Sequence, residues 1–516
     1  MPYWVPAGAA AAATGLLLIF GRFVPFRLRP VQGRRAVLVM AGVSALVYTW
    51  LGFWKYAACQ YGMMDFGIYD SMLRLAAAGE GIMRDYRGGA FDHFSPAVLL
   101  FVPLYWLQDW PGWLIVIQAV GLALAAPFAY LLAFRVLKDP ASALALAAAT
   151  LLDPYVSRLA LYDFHIEALF PALFLAAFWA RAAGRKRLFW WLLASALFLK
   201  EDFAIPVAAV GLWLLLFRKG ERRAGALLLG WTAVGVALIL RLYFPLVSET
   251  GYWHYGRYDL AGENAAEVLA KLGTMAARVF CSPESLPLAV SVLLPFALLP
   301  LAEWRFCLLV VVPTLAVQLA SAAWHQHQLA SHYASALIGV MPVAALFGWR
   351  RLRLGWRHRR RWRRALPVAV LGGALITHLL FCELPLARYH ADIPTWDAVL
   401  HGGFLSIPFR PLYWAEMGRS ERAAQAWLAA ADQLPAGATF AAQNELGPSL
   451  LRRGAFRQFP GDFTADFYCF DRALYSGYDD LTLVNETLTR LLTHPDYRLI
   501  YQDNGIIIFQ KEPHHE

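Results

Sequence analysis

Apolar residues in this chain gather into blocks of roughly 15–23, and several gaps between the blocks are packed with arginine. That pattern constrains the fold more than any other feature. A helix rising 1.5 Å per residue needs about 20 residues to cross ~30 Å of hydrocarbon. Within lipid, each block must satisfy its own backbone polar groups, so these blocks have to be helices. Of 516 residues, 59% are hydrophobic and 16% charged, well below the quarter usual in a soluble chain. The expected fold class is an all-α polytopic membrane protein.

The formal charge of +10 raises nucleic acid as a partner, but its distribution argues against it. Nine arginines lie between Arg350 and Arg364, between two apolar blocks. Smaller clusters are Arg27, Arg29, Arg34 and Arg35; Arg185, Lys186 and Arg187; and Arg218, Lys219, Arg222 and Arg223. Excess Lys/Arg in short loops marks the cytoplasmic side, where these groups meet anionic lipid headgroups. The expected partners are therefore the lipid bilayer and no nucleic acid.

With the basic clusters held on one side, the spans alternate. Val5–Phe20 runs in as a retained helix, since it lacks a basic leader and a clear cleavage site. Ala36–Trp54 returns, and Lys55–His93 forms a long outer loop. Phe94–Trp110 cannot span without inverting the clusters, so it is read as a helix along the outer interface. Gly112–Phe134, Ala141–Leu152 and Ile166–Ala180 follow. Leu188–Leu199 and Phe203–Phe217 form a short-helix hairpin whose tip is Lys200-Glu201-Asp202. Ala224–Leu246 leads into an outer loop, Val247–Ser285. Leu286–Ala302, Phe306–Leu319, Ala334–Trp349 and Ala365–Phe381 bring the total to about a dozen spans.

The tail changes character. Ala438–Ala441 and Asp466–Phe470 read as strands, Leu446–Arg453 and Leu488–Thr493 as helices, and Tyr497–Tyr501 with Ile506–Phe509 as a hairpin around Asp503-Asn504-Gly505. A small C-terminal α/β domain on the extracytoplasmic side is expected, serving acceptor or partner recognition. The proposed divisions are 1–35, an N-terminal helix and basic loop; 36–247, a first membrane module; 248–382, a second; and 383–516, the tail. Five cysteines, Cys59, Cys281, Cys307, Cys382 and Cys469, show no metal spacing. Their pairing stays open.

Placed on this topology, the unusual polar residues fall on the outer side. The first loop carries Asp65, Asp70, Asp92 and His93; the next connection carries Asp153, Asp163, His165 and Glu167; the tip carries Lys200, Glu201 and Asp202; a later loop carries His325, His327 and His332. Ionisable groups at membrane depth cost about 2.5–3.5 kcal/mol each at a helix centre, so they are candidates for function by default. Carboxylates can take a proton from an attacking hydroxyl, carboxylates with imidazoles can hold a divalent cation, and His and Lys can neutralise a phosphate. Plainer readings also fit. Asp153-Pro154 reads as a turn, Asp163-x-His165-x-Glu167 suits a helix N-terminus, His325-x-His327 suits a solvated loop, and Lys200-Glu201-Asp202 suits an internally neutralised turn. Composition alone gives no preference among Asp65, Asp70 and Asp92.

The ordered motifs resemble a bacterial membrane-protein family, domain of unknown function two-zero-seven-nine, grouped with the GT-C glycosyltransferases. The matching pieces are Asp65-Phe66-Gly67-Ile68-Tyr69-Asp70, His93-Phe94-Ser95-Pro96, Asp163-Phe164-His165-x-Glu167, Lys200-Glu201-Asp202 and His332-Tyr333, with Ala441-Ala442-Gln443-Asn444 and Ala465-Asp466-Phe467 in the tail. The resemblance implies a GT-C-like fold in a bacterial inner membrane. It also implies transfer of a sugar from a polyprenyl-phosphate-type donor to a glycan, lipid or protein acceptor, with inversion. It makes Asp65 the general base; charge type and topology add Asp163 and Glu201 as the other candidate catalytic residues. Lys200, His93, His165, His325, His332 and Tyr69 would contact substrate or its phosphate. The paired acid expected after Asp65 is replaced by Phe66. A divalent cation, Mg or Mn, therefore stays an open cofactor; Asp163, His165, Glu201 and His93 would orient the acceptor or hold that cation. Two other classes fit the composition: a transporter or flippase for a lipid-linked glycan, and a non-catalytic envelope-assembly scaffold.

Overall fold

The computed structural model describes residues 16, 19, 28–88, 93–247, 252–258, 265–282, 285–323, 326, 332–355, 360–381, 424–459, 463–472 and 481–512. The expected first span, Val5–Phe20, lies almost wholly outside them.

Five described helices are long and apolar enough to cross a membrane: Pro30–Ala57, Gly112–Leu137, Lys219–Val247, Leu299–Ala320 and His332–Gly355. Pro140–Leu151 and Pro154–Leu161, joined with a 42° bend, together have the length and apolarity of a broken span or a re-entrant loop. The bend has a local cause. Asp153 accepts a hydrogen bond from Tyr155 N at 3.0 Å and caps the second piece, and Pro154 sits where a missing N–H costs nothing. The turn expected at Asp153-Pro154 is thus a helix cap. Shorter helices, among them Phe170–Ala182, Lys186–Ala194, Ala204–Phe217 and Ser285–Leu293, fill the spaces between.

Two segments depart from expectation, and a third keeps to it. The break expected near 303–305 sits at Ala297 and Leu298, two successive residues with left-handed φ of 51° and 58°. This corner lets Leu299 approach Gly348 so closely that a Cβ there would strike the Leu299 carbonyl. Within the expected loop Val247–Ser285 lies a helix, Ala265–Cys281, with Leu269 and Phe280 exposed. Its apolar residues were too dispersed to read as a span. The segment read as interfacial forms Pro96–Phe101 and Val102–Leu107, too short to span, with Leu100, Trp106 and Leu107 exposed.

The C-terminal domain begins, among the described residues, with a helix over 424–431. It then builds one sheet from β1 (Thr439–Ala442), β2 (Ala455–Gln458), β3 (Phe467–Asp471), β4 (Tyr497–Asp503) and β5 (Ile506–Lys511), in the order β2-β1-β3-β5-β4. β1 pairs parallel with β2 and β3, whereas β5 runs antiparallel to β3 and β4. β2 was not foreseen, because Ala455–Gln458 is short and mixed in polarity. The helix expected at Leu488–Thr493 starts earlier, at Leu481. One core cluster gathers Trp427, Phe440, Leu450 and Phe456 with Cys59 and Met63 from the membrane portion. The domain therefore packs directly on the turn that carries Asp65. Cys59, Cys281, Cys307 and Cys469 are free thiols, and Cys382 lies outside the described residues.

Candidate active site at one end of the helical bundle

Asp65 rides on a wide turn, Met63–Gly67, that leads into the helix Ile68–Ala78. Phe66 and Met63 are fully buried and pin the turn, Phe66 against the Tyr61 ring at 4.6 Å. The turn's first N–H groups would be orphans in an isolated helix. Here Met63 N donates to the Asn444 carbonyl at 2.9 Å and Met64 N donates to Asn444 Oδ1 at 3.0 Å. A residue some 380 positions away in sequence thus supplies the cap. Gly62 is required just before it, since a Cβ would run into the Asn444 side chain.

Asp163 supports the same turn from the other side. Its Oδ2 accepts from Gly62 N at 2.9 Å and its Oδ1 lies 3.3 Å from Lys55 Nζ, which also donates to the Leu161 carbonyl. Burial pushes the Asp163 carboxyl above the ordinary range, with Lys55 pulling the other way. Asp163 is therefore engaged in fixing backbone. Lys55 was seen in the sequence only as a loop boundary.

Asp70 and Asp65, indistinguishable by composition, are separated here. Asp70 is wholly buried; Tyr105 donates to it at 2.8 Å, and Arg452 of the C-terminal domain forks onto both oxygens at 2.7 and 3.1 Å. Asp65 keeps a side chain 23% exposed, with Oδ1 3.6 Å from His165 Nε2. Asp92 and His325 lie outside the described residues. Tyr69 is buried edge-on against Phe164 at 4.9 Å, with its ring 6.2 Å from that of His165.

His165 connects Asp65 to a deeper cluster. Its ring stacks on His332 with centroids 3.7 Å apart. His332 lines a cavity of about 50 Å³ together with Glu167, Lys200, Tyr258, Gln326 and Tyr333. Lys200 Nζ lies 2.7 Å from Glu167 Oε1 and 3.6 Å from Asp202. Glu167 Oε2 and His332 Nδ1 are buried without a hydrogen-bond partner among the described residues. His165, Glu167 and His332 each offer a ligand atom within 4.8 Å of the others, a set that could hold a metal ion. Asp65 is not among the residues lining this cavity; His165 touches both Asp65 and His332.

Glu201 and His93 form a separate cluster next to Lys200. His93 Nδ1 is 2.7 Å from Glu201 Oε1, Phe94 N donates to Oε2 at 2.9 Å, and the Tyr252 hydroxyl donates to Oε1 at 3.1 Å. Burial opposes ionisation of Glu201, but His93 and Lys200 outweigh it and hold its carboxyl below the usual range. The His254 ring lies flat on His93 at 4.3 Å. Sequence reasoning missed Tyr252, His254, Asn444 and Arg452 as parts of this end of the molecule. Only Asn444 carried a signal, through its place in a tail motif.

The family described as "Predicted membrane protein (DUF2079)" matches residues 55–507, a range that takes in every cluster just described. The chain belongs to this family. Among solved structures, ArnT from Cupriavidus metallidurans bound to undecaprenyl phosphate is similar over 92% of this chain and 97% of its own, with a TM-score of 0.54 and 14% identity. The same protein in its apo state gives a TM-score of 0.46 at 13% identity. The likeness to the lipid-bound structure shows that this family member has the GT-C fold. No curated protein matches the chain in sequence.

Proposed function

We propose that the protein is a glycosyltransferase that moves a sugar from a polyprenyl-phosphate-type donor to an extracytoplasmic acceptor, with Asp65 as general base. The observation that carries this reading is the contrast at Asp65. It is a partly exposed carboxylate on a braced turn, in contact with a buried imidazole and carboxylate cluster, within a fold similar to one that binds undecaprenyl phosphate. A base so placed can take a proton from an acceptor hydroxyl, a step worth about 10²–10⁴-fold. Lys200 and the imidazoles can meet the negative charge of a departing phosphate. In this reading the basic clusters lie on the cytoplasmic side and the site and the C-terminal domain face outward.

The test uses membranes carrying the full chain or its Asp65→Asn variant and a labelled polyprenyl-phosphate sugar. Transfer by the wild type and its loss in a folded variant are expected. Undiminished transfer by the variant removes Asp65 from the role. Movement of a lipid-linked glycan across sealed liposomes without a glycosidic product would replace the whole reading with transport.

A further inference from the structure

We infer that His165, Glu167 and His332 form a binding site for a divalent transition-metal ion, zinc before magnesium or manganese. Each of the three is more than nine-tenths buried. Two imidazoles and one carboxylate suit zinc and its neighbours, whereas magnesium and calcium prefer all-oxygen sets. Three protein ligands also leave a coordination position open, the pattern of a site that receives water or a substrate oxygen.

The hydrogen bonds around the trio point the same way. His165 Nδ1 faces the Asp163 carbonyl at 3.0 Å, and a carbonyl can only accept, so Nδ1 carries the proton. The other ring nitrogen, Nε2, lies 3.6 Å from Asp65 Oδ1 and can serve as a metal ligand beside that carboxylate. Glu167 Oε1 is held by Lys200, while Oε2 has no partner among the described residues. His332 Nδ1 is in the same condition. Orphaned buried polar atoms are costly, and a cation held between Glu167 and His332 would satisfy both. The carbonyl on His165 and the ammonium on Glu167 are the outer contacts that orient metal ligands in built sites. The ligand atoms lie within 4.8 Å of one another, and a tetrahedral ion needs roughly 3.3 Å, a contraction that rotamer adjustment of His332 can supply. Lys200 offsets the charge of Glu167, so the ion's charge is left for Asp65 and an incoming anion to balance. The presence of the ion does not depend on the transfer reading; its use toward a donor phosphate does.

The experiment measures metal content of the full chain, purified in detergent through a tag without histidine and without chelators. Expected is about one zinc per chain, removable by chelation, with cobalt refilling the site to give the visible absorption of a low-coordinate ion. Glu167→Gln and His332→Ala should each weaken zinc binding by more than the 10–100-fold typical of outer-contact changes. His494→Ala, in the C-terminal domain, should leave it unchanged. Monodispersity and thermal midpoint report whether the variants fold, and the strip-and-refill titration of the wild type stands without them. A folded wild type that holds no zinc and takes up neither zinc nor cobalt overturns the site. Zinc kept at wild-type affinity by both folded ligand variants overturns it as well. Zinc bound as expected in a protein that transfers no sugar supports the site and counts against the transfer reading alone.

Discussion

Two buried glutamates at the same end of the bundle are treated in opposite ways. Both oxygens of Glu201 are engaged, by His93, the Phe94 N–H and the Tyr252 hydroxyl. Glu167 has one oxygen on Lys200 and the other buried with no partner among the described residues. A fully satisfied polar network rigidifies and specifies structure, whereas a partly satisfied one stores an unmet demand. The difference supports the proposal that the Glu201 cluster holds the tip in place and that the Asp65–His165–Glu167 line serves chemistry. Asp70 with Arg452 and Tyr105 belongs with the first kind, Asp65 with the second.

The sharpest way to break this division is to measure activity and stability together. Asp65→Asn should lower sugar transfer by about 10²–10⁴-fold while leaving the thermal midpoint in detergent near that of the wild type. Glu201→Ala should do the reverse in emphasis. It strands three donors and should cost roughly 3–5 kcal/mol of stability, read by denaturant or thermal unfolding. A Glu201→Ala protein as stable as the wild type would abolish the distinction between the clusters. Arg452→Gln leaves Asp70 buried with only Tyr105 among its described partners, and should cost about 1–3 kcal/mol. Because Arg452 ties the C-terminal domain to the membrane portion, faster hydrogen exchange in Met63–Ala78 should accompany the loss. The smallest effect concerns pH. Asp466 is held below the ordinary carboxylate range by its hydrogen bonds to the Thr439 N–H and hydroxyl. A lowered folded value means its contribution is complete above the ordinary range and disappears as pH falls through the folded value. The gap in thermal midpoint between wild type and Asp466→Asn should therefore close only in acid, and a gap that widens there would reverse the assignment.

The contacts of the C-terminal domain also change what its removal should do. From sequence, the tail reads as a recognition module whose loss alters acceptor use before donor binding. Asn444 caps the turn of Asp65 and Met63 packs in the domain's own core. Loss of the tail should therefore disturb the position of the base along with any recognition.

Much of the helical framework was legible because lipid imposes a length and polarity on each span that no other environment requires. The motifs around Asp65, Asp163, His165 and Lys200 stood out for the same reason, as ionisable groups that hydrocarbon would penalise. Less legible were the short strand β2, the helix Ala265–Cys281 and the corner at Ala297, where neither length nor polarity leaves a clear mark. Partnership among the polar groups was not legible either. Nothing local to Asp65 or Asp70 says that Arg452 will cover one and leave the other, since those contacts span more than 380 residues.

The sequence by itself determined that this is a multi-span helical membrane protein with a folded C-terminal domain, because apolar run length and charge placement are local quantities read one segment at a time. The tertiary structure decided which carboxylates are structural and which are available. Burial and hydrogen-bond satisfaction belong to the neighbours a side chain meets in space, and those neighbours come from distant parts of the chain.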